Sequence, residues 1–180
     1  MADFERRNRE RSNDREEENL FDEQIIHIAR VSKTVKGGKR MRFRVLVVVG
    51  KKDESAVGIG IGKAKEIPNA IRKAVNQAKR ELIKVSLSGT TIPHDITIKN
   101  GSARVYLAPA VTGTGLKAGG AVRMILEKAG IKDVISKAHG TTNAVNLAKT
   151  TIQALKSIKD PRTYATERGI TVAQLFGRQA

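Results

Sequence analysis

Residues 28–65, IARVSKTVKGGKRMRFRVLVVVGKKDESAVGIGIGKAK, decide the fold. They read as a strand, a basic glycine turn, a second strand, an acidic turn and a third strand in which Gly58, Gly60 and Gly62 alternate with Val57, Ile59 and Ile61. Successive side chains of a strand point to opposite faces, so the third strand carries an apolar row on one face and bare backbone on the other. Bare backbone admits close approach. The visitor expected from the surrounding residues is an anion with a backbone-sized repeat. Lys33, Lys36, Lys39 and Arg40 surround the Gly37-Gly38 pair, and Arg42 and Arg44 continue the charge along the second strand. That strand passes from cations into the continuous apolar run 45–49, which marks it as the central, most buried one.

Outward from this core, strands are expected at 25–34, 40–50 and 55–63. Residues 1–24 are charged or polar apart from a few apolar positions such as Phe4, Leu20 and Phe21, and are predicted to be a disordered tail. Downstream, Glu66-Ile67-Pro68 opens a helix, with proline where its missing N–H costs nothing. Ile71, Ala74, Val75, Ala78, Leu82 and Val85 recur at helical spacing and face the sheet, while Lys73, Gln77, Arg80 and Lys84 form a second row expected to face phosphates. The stretch 87–91 reads as a linker. Beyond it, Ile92, His94, Ile96 and Ile98 alternate with polar residues, Asn100-Gly101 supplies a hairpin turn, and a strand runs to Pro109. The glycine loop 112–120 leads into a helix carrying Val122, Ile125, Leu126 and Ala129, stopped by Gly130. A strand at 131–137 and a helix capped by Thr141 or Thr142 complete the pattern. The fold class is therefore α+β: a domain at 25–88, another at 89–160, each a sheet with helices on one face, and a polar C-terminal tail at 161–180 with an apolar patch of Ile170, Val172, Leu175 and Phe176.

Composition narrows the function. A chain of 180 residues buries about 70% of its unfolded surface without staples. It has no cysteine, and His27, His94 and His139 match no metal spacing, so no metal or other cofactor is expected. No apolar run is long enough to span a bilayer and the first residues are charged, so no membrane partner and a cytoplasmic location are expected. Lys and Arg number 34 against 18 Asp and Glu; residues 1–24 hold five Arg and nine acids, leaving 29 bases against nine acids from residue 25 onward, a net of +20. Such a surface repels itself unless it meets a polyanion, and nucleic acid is the expected one. Aromatics make up only 3% of residues, which favours recognition of phosphate, ribose and shape in folded RNA over base stacking on aromatic platforms.

Enzyme motifs are weaker. The run 58–64 lacks the hydroxyl residue that should follow the lysine of a phosphate loop, because Ala64 stands there. Gly113-Thr114-Gly115-Leu116-Lys117-Ala118 fits a dinucleotide pattern, yet Asp133 stands near the start of its strand rather than at the end, where a ribose would be met. A glycine loop tucked under a helix N-terminus, open to an RNA phosphate, is the better reading. No nucleophile and base stand together, so no small-molecule substrate and no catalysis are expected. Two rivals remain: a nucleotide-dependent RNA-processing enzyme using the Gly113 loop, and a free-standing duplex-RNA-binding regulator.

Four stretches carry a resemblance: residues 31–39, 57–70, 113–123 and 137–143. In that order they resemble the signature stretches of ribosomal protein five of the bacterial small subunit, the universal uS-five family. The resemblance spans about Ile25 to Leu175. It implies an N-terminal domain like the double-stranded-RNA-binding fold without most of its first helix, and a C-terminal βαβ domain with a left-handed crossover. It further implies a structural constituent of the small (30S) subunit that binds 16S rRNA, supports assembly and head–body conformation, and influences translational accuracy. The implied neighbours are small-subunit proteins four and eight and the mRNA where it enters. The RNA-binding residues expected on these grounds are Ser32, Lys33, Lys36, Gly37, Gly38, Lys39, Arg40, Arg42 and Arg44 in the first hairpin. Gly58, Gly60, Gly62, Lys63, Lys65, Lys73, Arg80 and Lys84 follow in the glycine strand and helix. Gly113, Thr114, Gly115, Lys117, Arg123, Lys137, His139, Thr141, Thr142 and Asn143 complete the set in the second domain.

Overall fold

The computed structural model describes residues 21–51 and 54–175. Most of the expected disordered tail, residues 1–20, and Phe176 of the C-terminal patch lie outside them. The elements are β1 (Asp22–Val35), β2 (Gly38–Lys51), β3 (Ala56–Ala64), α1 (Ile67–Arg80), β4 (Ile83–Lys84), β5 (Ile96–Asn100), β6 (Ala103–Pro109), β7 (Leu116–Lys117), α2 (Gly120–Lys128), β8 (Val134–His139), α3 (Ala144–Ser157), α4 (Pro161–Arg168) and α5 (Val172–Leu175). They form two four-stranded sheets, β1-β2-β3-β4 and β5-β6-β8-β7, so the α+β class holds. The second sheet is mixed: β7 and β8 run parallel, joined through α2 as a βαβ unit, and the other pairs are antiparallel.

The central strand is β2, as its sequence requires. Val45, Leu46, Val47, Val48 and Val49 are all at most 1% exposed, because both faces of the first sheet are covered. On one face Val45, Val47 and Val49 pack with Ala70, Ala74, Val75 and Ala78 of α1. On the other, Leu46, Val48, Val57 and Ile59 join Val105, Leu107, Ile125, Leu126 and Leu155 of the second half in one continuous core. Two domains with helices on one face of each sheet were expected; the second half instead supplies the other cover of the first sheet.

The bare glycine face is also filled from within the chain. A Cβ on Gly60 would lie 1.9 Å from the carbonyl oxygen of Ala74, one on Gly62 1.9 Å from that of Ala70, and one on Gly58 2.4 Å from that of Ala78. The match is geometric. Four helical residues rise about 6 Å and two strand residues about 6.6 Å, so an alanine every fourth position seats on a glycine every second. The close visitor is α1, and the assignment of Gly58, Gly60 and Gly62 to an RNA surface is corrected: all three are buried.

Other boundaries shift for local reasons. Asp22, Glu23 and Gln24, placed in the tail, pair with Gly50, Val49 and Val48 and begin β1. Helix α1 ends at Arg80, so Leu82 and Val85 are not on it; Ile83 and Lys84 turn back to pair with Val57 and Ala56. The expected linker is stitched down, with the carbonyl of Thr90 accepting from the amides of Lys132 and Asp133 at 2.9 and 3.1 Å. The second hairpin turns at Gly101-Ser102 rather than Asn100-Gly101: Gly101 has φ 59 and Asn100 pairs with Ala103. The last strand is β8, Val134–His139, and Ile131 belongs to the core beneath it. Helix α3 is capped by Asn143, whose side chain accepts from Val145 N at 3.1 Å, not by Thr141 or Thr142. The C-terminal tail holds α4, capped by Asp160 and closed by Gly169 at φ 66, and then α5.

Candidate nucleic-acid interface

The β1–β2 hairpin is built by alternation and a tight turn. Gly37 has φ 84 while Lys36 keeps a negative φ, the sign pattern of a type II turn, which needs glycine at its third position. A Cβ on Gly37 or Gly38 would meet nothing within 4 Å, so backbone conformation and not crowding calls for glycine there. Register then sorts the charges. Arg40 stands opposite Lys33, Arg42 opposite Val31, and Arg44 opposite both Ala29 and Lys63. Directly paired residues share a face, so Lys33, Arg40, Arg42, Arg44 and Lys63 lie on one face of the sheet, with Ser32 and Lys39 on the other. Lys36 stands at the tip. All of these except Arg44 are exposed, and Arg44 is half-buried.

The sheet is electrically polarised. Among the described residues its ion pairs are Asp22 with Lys128 at 2.7 Å, Glu23 with Lys79 at 3.2 Å and Glu54 with Lys51 at 2.5 Å, and the last holds the Glu54 carboxyl below its usual range through the Lys51 hydrogen bond and charge. All three lie at the end of the sheet far from the hairpin tip. Where β3 leads into α1, a cleft of about 470 Å³ is lined by Arg42, Lys63, Lys65, Arg72 and Lys73, with Asn69 and Asn76 beside them. The expected row along α1 does not persist. Lys73 and Arg80 are exposed on the helix, but Gln77 accepts from Ile61 N at 3.1 Å on the open edge of β3, and Lys84 has left the helix for β4.

The glycine loop of the second half is hydrogen-bonded from within the chain. Asp133, 4% exposed, accepts from Gly113 N at 3.0 Å and Gly115 N at 2.9 Å through one carboxylate oxygen, while Thr114 N donates to the carbonyl of Val111 at 3.1 Å. Hydrogen bonds from Gly115 N and the Thr90 hydroxyl, and then from Gly113 N, hold its carboxyl below the usual range against the opposing effect of burial. One correction follows: the amides of Gly113, Thr114 and Gly115 are already engaged and cannot cradle a phosphate. The buried Asp133 is not presented to a ribose, in line with the rejection of the dinucleotide pattern. Lys117 and Arg123, beyond this loop, are exposed.

The outer face of the second sheet is more basic than its sequence announced. Register places Lys99, Arg104 and His139 side by side, then Thr97, Tyr106 and Lys137, then Ile135 and Lys117. Lys99 and Arg104 were not among the expected residues. An Asn100-Gly101 turn would have put Lys99 opposite Ser102, and only the observed Gly101-Ser102 turn brings it opposite Arg104. The 139–143 loop closes this row: a Cβ on Gly140 would lie 2.1 Å from the Ser102 carbonyl, Thr141 Oγ1 accepts from Asn143 N at 3.2 Å, and Thr142 is exposed. Thr141 and Asn143 are thus occupied in shaping the loop. Among the described residues no group of three metal-ligating side chains occurs, and no helix is long and apolar enough to cross a membrane.

Comparison with known proteins places the chain in a family. Residues 21–86 match the family described as "Ribosomal protein S5, N-terminal domain", and residues 98–168 match "Ribosomal protein S5, C-terminal domain". The chain is 52% identical over 157 residues to "Small ribosomal subunit protein uS5" of Koribacter versatilis, covering 87% of this chain and 92% of that protein. It is 48% identical over 180 residues to the protein of the same name from Rhodopseudomonas palustris, covering 99% and 94%. A third, from Thermotoga neapolitana, is 49% identical over 156 residues, covering 87% of each.

Proposed function

The chain belongs to the ribosomal protein S5 family, and from that premise we propose that it is a structural constituent of the small ribosomal subunit that binds the subunit's RNA. The family consists of ribosomal structural proteins rather than enzymes. The observation that carries RNA binding is the cationic face of the first hairpin, where Lys33, Arg40, Arg42, Arg44 and Lys63 stand together while the sheet's ion pairs gather at its far end. Like charges set side by side without carboxylates raise the energy of the free protein, and a phosphate backbone relieves that repulsion. Support of subunit assembly and of head–body conformation, an influence on accuracy where mRNA enters, and contacts with small-subunit proteins four and eight complete the proposal. The nucleotide-dependent enzyme loses support here, because the amides and the acid it would use are bonded to each other.

The test is sedimentation of cell extract at low and high salt, combined with binding of the purified chain to small-subunit RNA. Co-migration with the small subunit at low salt is expected, with affinity falling about 10³- to 10⁵-fold between 50 and 200 mM salt if six to ten phosphates are neutralised. A salt-insensitive complex, or a chain that sediments free of the subunit at low salt, would overturn the reading.

A further inference from the structure

The cleft at the β3–α1 junction differs from the hairpin face in shape and chemistry. The hairpin offers a projecting row of cations; the cleft, which shares Arg42 and Lys63 with that row, is a concavity of about 470 Å³ lined also by Lys65, just beyond β3, and by Arg72 and Lys73 of α1. None of these five forms an ion pair with a described carboxylate, whereas Lys51, Lys79 and Lys128 elsewhere in the chain do. One acid, Glu66, lies at the rim, and its carboxylate accepts from Asn69 Nδ2 at 2.8 Å. A polyanion is therefore its natural occupant. A regular duplex, however, presents phosphates on a convex surface that cannot enter a pocket of this size.

Two further details select among RNA conformations. Asn69 and Asn76 are exposed in the wall beside the cations, and a primary amide adds nothing to phosphate binding that a lysine does not do better. It does offer a donor and an acceptor side by side, which suits a base edge or a ribose hydroxyl. No aromatic residue lines the cleft, so a base inside would stack on a guanidinium plane, and Arg42 and Arg72 both line it. The volume lies within the range of pockets that enclose a single small organic group. We propose that this cleft receives one unpaired nucleotide extruded from the RNA, its phosphates held by Lys63, Lys65 and Lys73, its base against a guanidinium of the lining, Arg42 or Arg72, and its edge met by Asn76.

This inference rests on the RNA-binding reading, and the test separates the two. The full chain is titrated into two labelled RNA duplexes of equal length that differ by one bulged nucleotide, at one fixed salt concentration. The bulged RNA is expected to bind about tenfold more tightly, the discrimination that one good amide–base contact supplies. In Asn76→Ala the preference should fall towards unity, and Lys149→Ala, an exposed charge on α3 remote from the cleft, should leave it unchanged. Equal binding of the two RNAs, or a preference that survives both Asn76→Ala and the double variant Arg42→Ala/Arg72→Ala, overturns the cleft proposal alone. Failure to bind either RNA overturns the RNA reading beneath it.

Discussion

Gly60 and Gly37 are the same residue type with opposite requirements, and one pair of substitutions separates them. Gly60→Ala would drive a methyl group into the Ala74 carbonyl, and neither strand nor helix can yield without disturbing the next glycine–alanine contact. Overpacking of this kind costs about 1–3 kcal/mol or more, so a clear fall in the denaturation midpoint is expected. Gly37→Ala meets no atom but must hold φ 84, a strain of about 1–2 kcal/mol in a turn that packs against nothing. Folding should survive it while RNA affinity drops, and unfolding of the free protein by Gly37→Ala, or unchanged RNA affinity, would show that the turn serves the core rather than RNA docking. The glycine alternation was plain in the sequence; which partner filled it was not, because an RNA backbone and a helix carbonyl demand the same bare face. Asp133 supports a second prediction at this scale. Its folded pKa is depressed, so its contribution is present above the ordinary aspartate value of about 3.9 and is lost as pH falls through the lower folded value. Protection of Gly113 and Gly115 amides against hydrogen exchange, taken relative to the intrinsic rate at each pH, should therefore hold at pH 5 and fall below the ordinary aspartate range. In Asp133→Asn that acid-dependent step should disappear, and an unchanged step would assign it to another group.

Among the elements, the β1–β2 hairpin and α1 show where pattern reading succeeds and where it stops. The continuous apolar run 45–49 and the Gly37-Gly38 pair were sufficient to place a buried central strand and a basic tip, because each rests on local chemistry. The end of α1 was not legible. Leu82 and Val85 continue the helical spacing of Val75 and Ala78, and it is the pairing of Ile83 and Lys84 with β3, an interaction distant in sequence, that breaks the helix at Arg80. The outer face of the second sheet was hidden for a related reason: a hairpin turn displaced by one residue re-pairs every side chain across it. For the first hairpin, replacing Arg40 and Arg42 together with alanine should lower the slope of log affinity against log salt by about one for each phosphate left without its cation. Lys51→Ala, whose ammonium is already paired with Glu54 at the other end of the sheet, should change the slope little. Identical slopes for all variants would move the phosphate-binding surface to the outer face of the second sheet, where Lys99, Arg104 and Lys137 stand together.

At the scale of the whole molecule, the sequence suggested two domains on a linker, and the packing joins the two halves through one shared core. Leu46 and Val48 from the centre of the first sheet share a core with Leu107 of the second sheet and with Ile125, Leu126 and Leu155 of α2 and α3. The seam is closed at its edge as well. A Cβ on Gly50 would lie 2.1 Å from the carbonyl oxygen of Lys128, so the C-terminal end of α2 rests directly on β2, and the Lys128 ammonium reaches Asp22 at 2.7 Å. If the first half unfolded alone, the faces of Val105, Leu107 and Leu126 that meet it would be left in water at about 25 cal/mol per Å², which couples the two events. The full chain is therefore expected to melt in one calorimetric transition, with calorimetric and van 't Hoff enthalpies equal. Leu46→Ala, a fully buried truncation, should lower the stability of that single transition by about 2–5 kcal/mol. Amides of β6 and β8, far from residue 46 in sequence, should lose exchange protection by the same amount as those of β2 and β3. Two resolved transitions, or a fall in protection confined to the first half, would show that the halves fold independently and that the shared core is a docking surface between separate domains.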